Sequence, residues 1–336
     1  MNTFYAGQWI LTSLFLFSVT TLHAQSLPAF MEGAKKEGKL VYYTVLTVPE
    51  SRALLAAFEK KHPFIQTELF RLEGDKMRAK ILTEARAGRH TFDVNSTSIT
   101  NTGLLMRSGL LAPYKAQTRG RIWPGLKDDD GYWTALYVRQ YALSYNTKLV
   151  PERDAPKDWW ELLDPKWKGK IGLDEEIELY GALWLYWGRE KAQRLMKGLV
   201  AQSPSIRNGH TLIAQLTAAG EFPLSIAYAN RIEEMKAKGA PVDWANTTDP
   251  VVVSPSVITI SAHAPHPNAA RLFVEFALSH EAQSLLRSFD RVTAHLDIPA
   301  PTPKQDLKKI KVFFVNTKIS DRYEEVQKEY HEIFRR

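Results

Sequence analysis

The chain has 336 residues, 44% of them hydrophobic, enough to bury one large or two medium cores, and its length favours two lobes. It has no cysteine, which excludes disulfides and thiolate metal sites. Its formal net charge is +7, but bases alternate with acids, as in Glu59-Lys60-Lys61 and Arg322-Tyr323-Glu324-Glu325. No run of five like charges occurs, so no nucleic-acid partner is expected and a general attraction for anions is the most the charge supports.

The first 24 residues carry no Asp, Glu, Lys or Arg and contain a mainly apolar run over 10–19, too short to span a bilayer. Ala24 supplies a small residue before a cleavage site, so 1–24 reads as a signal peptide cut after Ala24 and the mature protein as periplasmic. Residues 39–45 read as a strand, and Pro49, at a first helical position, opens a helix with Leu54, Leu55 and Phe58 on one face. A second unit follows: a strand over 65–70, then a helix capped by Asp75 with Met77, Ile81, Leu82 and Ala85 as its stripe and Gly88 as its end. A third strand begins at Phe92. Alternation of this kind predicts a mostly parallel sheet with helices on both faces.

The stretch 132–145, after the acidic turn at 128–130, reads as an extended crossing between lobes. Helices are expected over 180–187, 190–200 and 211–220, a buried strand over 223–228, and a second crossing strand over 251–260. Amphipathic helices over 268–278 and 281–289 close the fold, and the tryptophans at 159, 160, 167, 184 and 187 read as core. Two α/β lobes joined by extended crossings leave a cleft lined by strand C-termini and helix N-termini, a place that binds ligands.

Several segments carry a family resemblance. The run Asp158-Trp159-Trp160-Glu161-Leu162-Leu163-Asp164-Pro165-Lys166-Trp167-Lys168-Gly169-Lys170-Ile171 resembles a segment of the ferric-iron-type solute-binding proteins of bacterial ABC importers. Leu54-Leu55-Ala56-Ala57-Phe58-Glu59, Ser108-Gly109-Leu110-Leu111-Ala112-Pro113-Tyr114, Ala219-Gly220-Glu221-Phe222-Pro223-Leu224 and Ala264-Pro265-His266-Pro267-Asn268-Ala269-Ala270 agree in order and spacing. The resemblance implies a periplasmic-binding-protein fold of the type II, Venus-flytrap kind, in which two lobes close over a small solute and present it to an inner-membrane permease. It implies crossings near Arg139 and Val253, with 38–138 plus 254–310 forming lobe 1 and 139–253 plus 311–336 forming lobe 2. A monomer without a bound cofactor is expected.

Iron-binding members use adjacent tyrosines after the strand that follows the Gly-Glu-Phe-Pro segment; here Asn230 and Arg231 fall at those positions, with Tyr228 two residues earlier. No early His matches between Thr44 and Pro49, and the pair Tyr42-Tyr43 lies on a strand, where neighbours face opposite ways. Ferric iron is therefore the alternative cargo and an organic anion the expected one. Arg139 falls where family members hold an anion, and Arg231 adds a second guanidinium; each can grip a carboxylate or phosphate. The helix start at Asn208-Gly209-His210-Thr211 can aim backbone N–H groups at negative charge or form a plain cap. Thr44 and Thr47, and Asn95, Ser96 and Thr97, end strands whose loops should face the cleft, where they either bind an oxygen-rich ligand or serve as turns. Tyr137 and Tyr228 either stack on the ligand or pack the core.

A secreted hydrolase is the alternative from another class. There is no G-x-S-x-G elbow; His280-Glu281 is followed by Ser284 where a zinc protease needs its second His; Gly169-Lys170 leads to Ile171 without the upstream Gly of a phosphate loop. The acids at 128–130 and 174–176 are of the type a metal or glycosidase site uses, and read as solvated turns.

Overall fold

The structure, a computed structural model, describes residues 27–245 and 247–334. The expected signal peptide lies outside the described residues. Among those described, no helix is long and apolar enough to cross a membrane.

The strand Lys39–Thr44 is buried from Leu40 onward because it lies inside a parallel sheet covered on both faces. Leu40 and Tyr42 enter one apolar cluster, Val41 and Tyr43 another, as strand alternation demands. The hydroxyl of Tyr42 accordingly meets Ser96 Oγ at 2.6 Å, while that of Tyr43 meets Thr91 Oγ1 at 2.8 Å on the other face. Gln66–Arg71 and Val94–Ser98 flank this strand, both parallel to it.

Two long strands join the halves of the molecule. Val251–Ser261 runs antiparallel to both Val94–Ser98 and Thr134–Asn146. Thr134–Asn146 keeps that partner as far as Gln140; from Tyr141 it pairs instead with Leu224–Tyr228, with Tyr228 opposite Tyr141. Leu224–Tyr228 then pairs in parallel with Ile171–Asp174, and that strand with Ser205–Arg207. The described strands therefore form one continuous sheet whose two halves, each with its own helices, share the strand Thr134–Asn146. This is the expected α/β, two-lobed architecture, but the sheet is mixed rather than mostly parallel, because the two long strands run antiparallel to each other and to Val94–Ser98 and Leu224–Tyr228. The strand Val312–Phe314 lies beside Val251–Val253, and the last helix, Tyr323–Phe334, packs on Glu178–Trp187 and Arg189–Ala201.

Local details depart from the sequence expectations. Pro49 is the second residue of the helix Val48–Lys61, and Thr47 before it gives its N–H and hydroxyl to the Glu50 carboxylate at 2.9 and 2.7 Å. Asp75 sits in the first turn of Gly74–Arg86 while Glu73 holds the cap position. The helices Ile99–Arg107 and Ala229–Ala237 had no expectation; each begins directly at a strand end and is too short to show a clear stripe. Trp159 is fully buried and donates to the Pro250 carbonyl at 2.9 Å. Trp160 and Trp187 are not core: both are half-buried and stack on each other with Lys191 Nζ over them. Their indoles stay at the surface because the ammonium stem covers them.

Candidate functional site

The shared strand decides the site. Strand alternation puts Tyr137, Arg139 and Tyr141 on one face, and the change of partner after Gln140 brings that face against the ends of Val251–Ser261 and Leu224–Tyr228. Arg139 Nη1 donates to the Tyr228 hydroxyl at 2.9 Å, and Nη2 donates to Ser254 Oγ at 2.9 Å and lies 3.4 Å from Glu178 Oε1. Glu178 also accepts from Thr100 Oγ1 at 2.6 Å, which links the helix Glu178–Trp187 to the helix Ile99–Arg107 of the other half.

Beyond Arg139, donors converge on one carboxylate oxygen. Glu176 Oε2 accepts from the hydroxyls of Tyr228 at 2.7 Å and Tyr141 at 2.9 Å and lies 2.7 Å from His210 Nε2. Asp174, Glu176 and His210 each place a ligand atom within 4.8 Å of the others, a spacing that suits a metal ion. The His210 ring rests on the Tyr228 ring, centroids 3.6 Å apart. Behind these groups a space of about 30 Å³ ends at Tyr330 and Phe334 of the last helix. That is room for about one water.

Burial and charge act on these groups in opposite directions. Burial would raise the Glu176 carboxyl, but the His210 hydrogen bond and charge, Arg139 and the Tyr228 hydroxyl outweigh it and bring it down to about 2. Burial raises the Glu178 carboxyl; Arg139 opposes this and the neighbouring Glu176 charge adds to it. Burial likewise raises Asp174, with His210 opposing. Both phenols are pushed well above their ordinary range, first by burial. Glu176 and Glu178 both act on the Arg139 guanidinium, with Asp174 a third carboxylate beside His210.

The other end of the floor is built around a different pair. Arg291 binds Glu50 with two hydrogen bonds, Nε to Oε1 at 2.6 Å and Nη2 to Oε2 at 2.9 Å, both side chains 5% exposed. The Arg291 guanidinium lies 4.5 Å from the centroid of the Tyr137 ring. Tyr137 is thus spoken for by a cation of the protein itself.

The expected ligand residues divide accordingly. Tyr137, Arg139, His210 and Tyr228 lie on the floor. Thr44 and Ser96 are fully buried with their hydroxyls 2.7 Å apart, and Asn95 is buried beside them with its side-chain N–H on the Tyr43 carbonyl at 3.3 Å, so these groups join strands rather than face a cleft. Thr47 is taken by Glu50. Asn230 is buried at the start of Ala229–Ala237, and Arg231 pairs with Glu234 at 3.0 Å one turn along the same helix. The second guanidinium expected for an anion is therefore neutralised. The helix start at Gly209 does meet negative charge, but that of Asp174, whose Oδ2 accepts the Gly209 N–H at 2.7 Å.

Sequence reading missed Tyr141, Asp174, Glu176, Glu178 and Ser254. Tyr141 had a signal, since it shares the alternate face of Tyr137 and Arg139. Asp174 and Glu176, read as a solvated turn, are instead folded inward between the strand end and the helix that follows.

The chain matches the family model described as bacterial extracellular solute-binding protein over residues 98–313. It is 27% identical over 240 residues to the major ferric iron-binding protein of Neisseria meningitidis serogroup B, covering 66% of this chain and 70% of that one. Its fold is similar to iron-bound HitA from Pseudomonas aeruginosa, TM-score 0.79 at 22% identity, covering 88% of this chain and 99% of the other. It is also similar to the periplasmic binding protein AfuA from Actinobacillus pleuropneumoniae with fructose-6-phosphate bound, TM-score 0.78 at 23% identity, covering 89% and 99%. The two-lobed fold is that of the periplasmic binding proteins.

Proposed function

The chain belongs to the bacterial extracellular solute-binding proteins, and on that premise we propose that its cargo is a hard metal cation, ferric iron foremost, held by Tyr141, Glu176, His210 and Tyr228 with Asp174 beside them. It is the substrate-binding subunit of an ABC importer, a binding protein that hands its solute to a membrane permease. The work is done in the periplasm by a monomer released from its leader after Ala24.

One observation carries the cargo reading: two phenols and an imidazole converge on one Glu176 oxygen in a site with more carboxylate than guanidinium. A cation that replaces the shared protons gains two phenolates, a carboxylate and an imidazole. Oxygen donors suit hard ions. Because burial raises both phenols, only a strongly Lewis-acidic ion displaces their protons at neutral pH, which favours a trivalent over a divalent cation. An organic anion finds less support here, since Arg139 is already shared among Tyr228, Ser254 and Glu178, and Arg231 is paired with Glu234.

The fold supports capture by closure. Thr100 and Glu178 meet across the two halves beside the cargo groups, which themselves lie on the half carrying 141–228, so closure depends on contacts the cargo makes on the Thr100 side as well. The test is titration of the metal-free mature protein with ferric citrate. A visible phenolate-to-iron charge-transfer band that saturates at one equivalent supports the reading; a colourless titration rejects it.

A further inference from the structure

A cavity of about 290 Å³ lies apart from the cargo groups, between Trp123, the short strand Val292–Thr293 and the chain that follows as far as Lys309. Its size approaches that of small-molecule pockets, and its walls have the mixed character such pockets need. Trp123, Leu296, Ile298 and Leu307 supply apolar surface. Thr293 lines the cavity and is only 6% exposed, its hydroxyl oxygen buried out of reach of the space.

The charge on the rim is positive. Lys308 Nζ stands 5.9 Å from the centroid of the Trp123 ring, and Lys308 and Lys309 are both exposed lining residues. Asp306 accepts the Lys308 backbone N–H at 3.1 Å and lies 3.8 Å from Lys309 Nζ, which leaves the Lys308 ammonium beside Trp123 as the charge facing an occupant. An apolar chamber with a cationic rim selects an amphiphilic anion. We propose that this cavity is a second ligand site, separate from the cargo site, for a small organic anion with an aromatic or apolar body. Its inner wall is part of the hinge sheet, because Val292 and Thr293 pair with Val138 and Tyr137 of the shared strand.

Benzoate is the probe, followed by heteronuclear NMR on the full mature chain without added metal. Saturable shifts confined to the Trp123 indole N–H and the amides of 292–309 are expected, with benzyl alcohol binding at least about fivefold more weakly. Ala300→Trp, which fills the chamber, should abolish these shifts while leaving the thermal unfolding curve in place. Lys308→Ala removes the exposed ammonium beside Trp123 and should weaken benzoate about threefold or more, so it decides the matter if the tryptophan variant does not fold. Shifts that fail to saturate, that map elsewhere, or that persist unchanged in either variant overturn the proposal, and equal binding of benzyl alcohol overturns its anionic part. None of these readouts depends on the nature of the cargo.

Discussion

The hydroxyls of Tyr141 and Tyr228 lie 3.5 Å apart and both reach Glu176 Oε2, although the two residues are 87 positions apart in the chain. Their meeting depends on the ladder that sets Tyr228 opposite Tyr141. On the proposed reading, this pair, adjacent across two strands, takes the place of a tyrosine pair adjacent in sequence.

Removing either phenol tests that equivalence. Tyr141→Phe and Tyr228→Phe each delete one oxygen and leave the ring packing, including the edge contact between the two rings at 5.1 Å. Each should lower ferric affinity by at least about 100-fold, the upper end of what outer-shell changes cost, and should diminish the charge-transfer band. Competition against a graded series of chelators measures it. Equal loss in both variants is expected, since both hydroxyls address the same carboxylate oxygen.

Cargo class can be read from stability without knowing the affinity in advance. A ligand that binds only the native state at a hundredfold excess over its Kd adds about 2.7 kcal/mol. Ferric citrate should therefore raise the melting temperature clearly, while citrate alone, hexose phosphates and simple carboxylates should not. A rise with hexose phosphates that is lost in Arg139→Ala would instead restore the organic-anion reading.

Much of the fold was legible before the structure, because strands buried on both faces leave dense apolar runs such as 39–45 and 251–260, and helices between strands leave stripes. The site was legible only in part. Tyr137 and Arg139 could be found because they lie on the recognisable crossing strand, and His210 and Tyr228 because each sits at the end of an element. Glu176 could not, since nothing local distinguishes an acid turned inward toward His210 from one turned out to water. Thr44 and Ser96 looked available for a ligand because sequence shows a hydroxyl at a strand end but not that each already bonds the other.

The pH response of the site follows from Glu176. Its folded carboxyl lies at about 2, below the ordinary 4.5, so its ionisation stabilises the fold above about pH 4.5. That contribution fades as pH falls from 4.5 toward 2. Asp174 and Glu178 are raised instead, so their ionisation costs stability as pH rises through their folded values. Urea midpoints of the native chain and of Glu176→Gln, measured from pH 7 to pH 2, should therefore converge below pH 4.5. Curves that stay parallel over that interval would show that Glu176 is not held ionised by His210 and Arg139.

The pair Glu50 and Arg291 makes the opposite kind of prediction, one about the frame rather than the cargo. Both are almost wholly buried, and Glu50 also receives the two Thr47 donors that start the helix Val48–Lys61. Arg291→Ala strands the Glu50 charge and uncovers the Tyr137 ring, and should cost about 3–5 kcal/mol, the range for breaking one partner of a buried pair. Glu50→Gln together with Arg291→Met removes both charges at similar volume and should recover part of that loss. Denaturant unfolding gives both numbers. If the single substitution costs no more than the double, the pair contributes packing and little electrostatics, and the stability of this end of the floor resides in the Tyr137 contact alone.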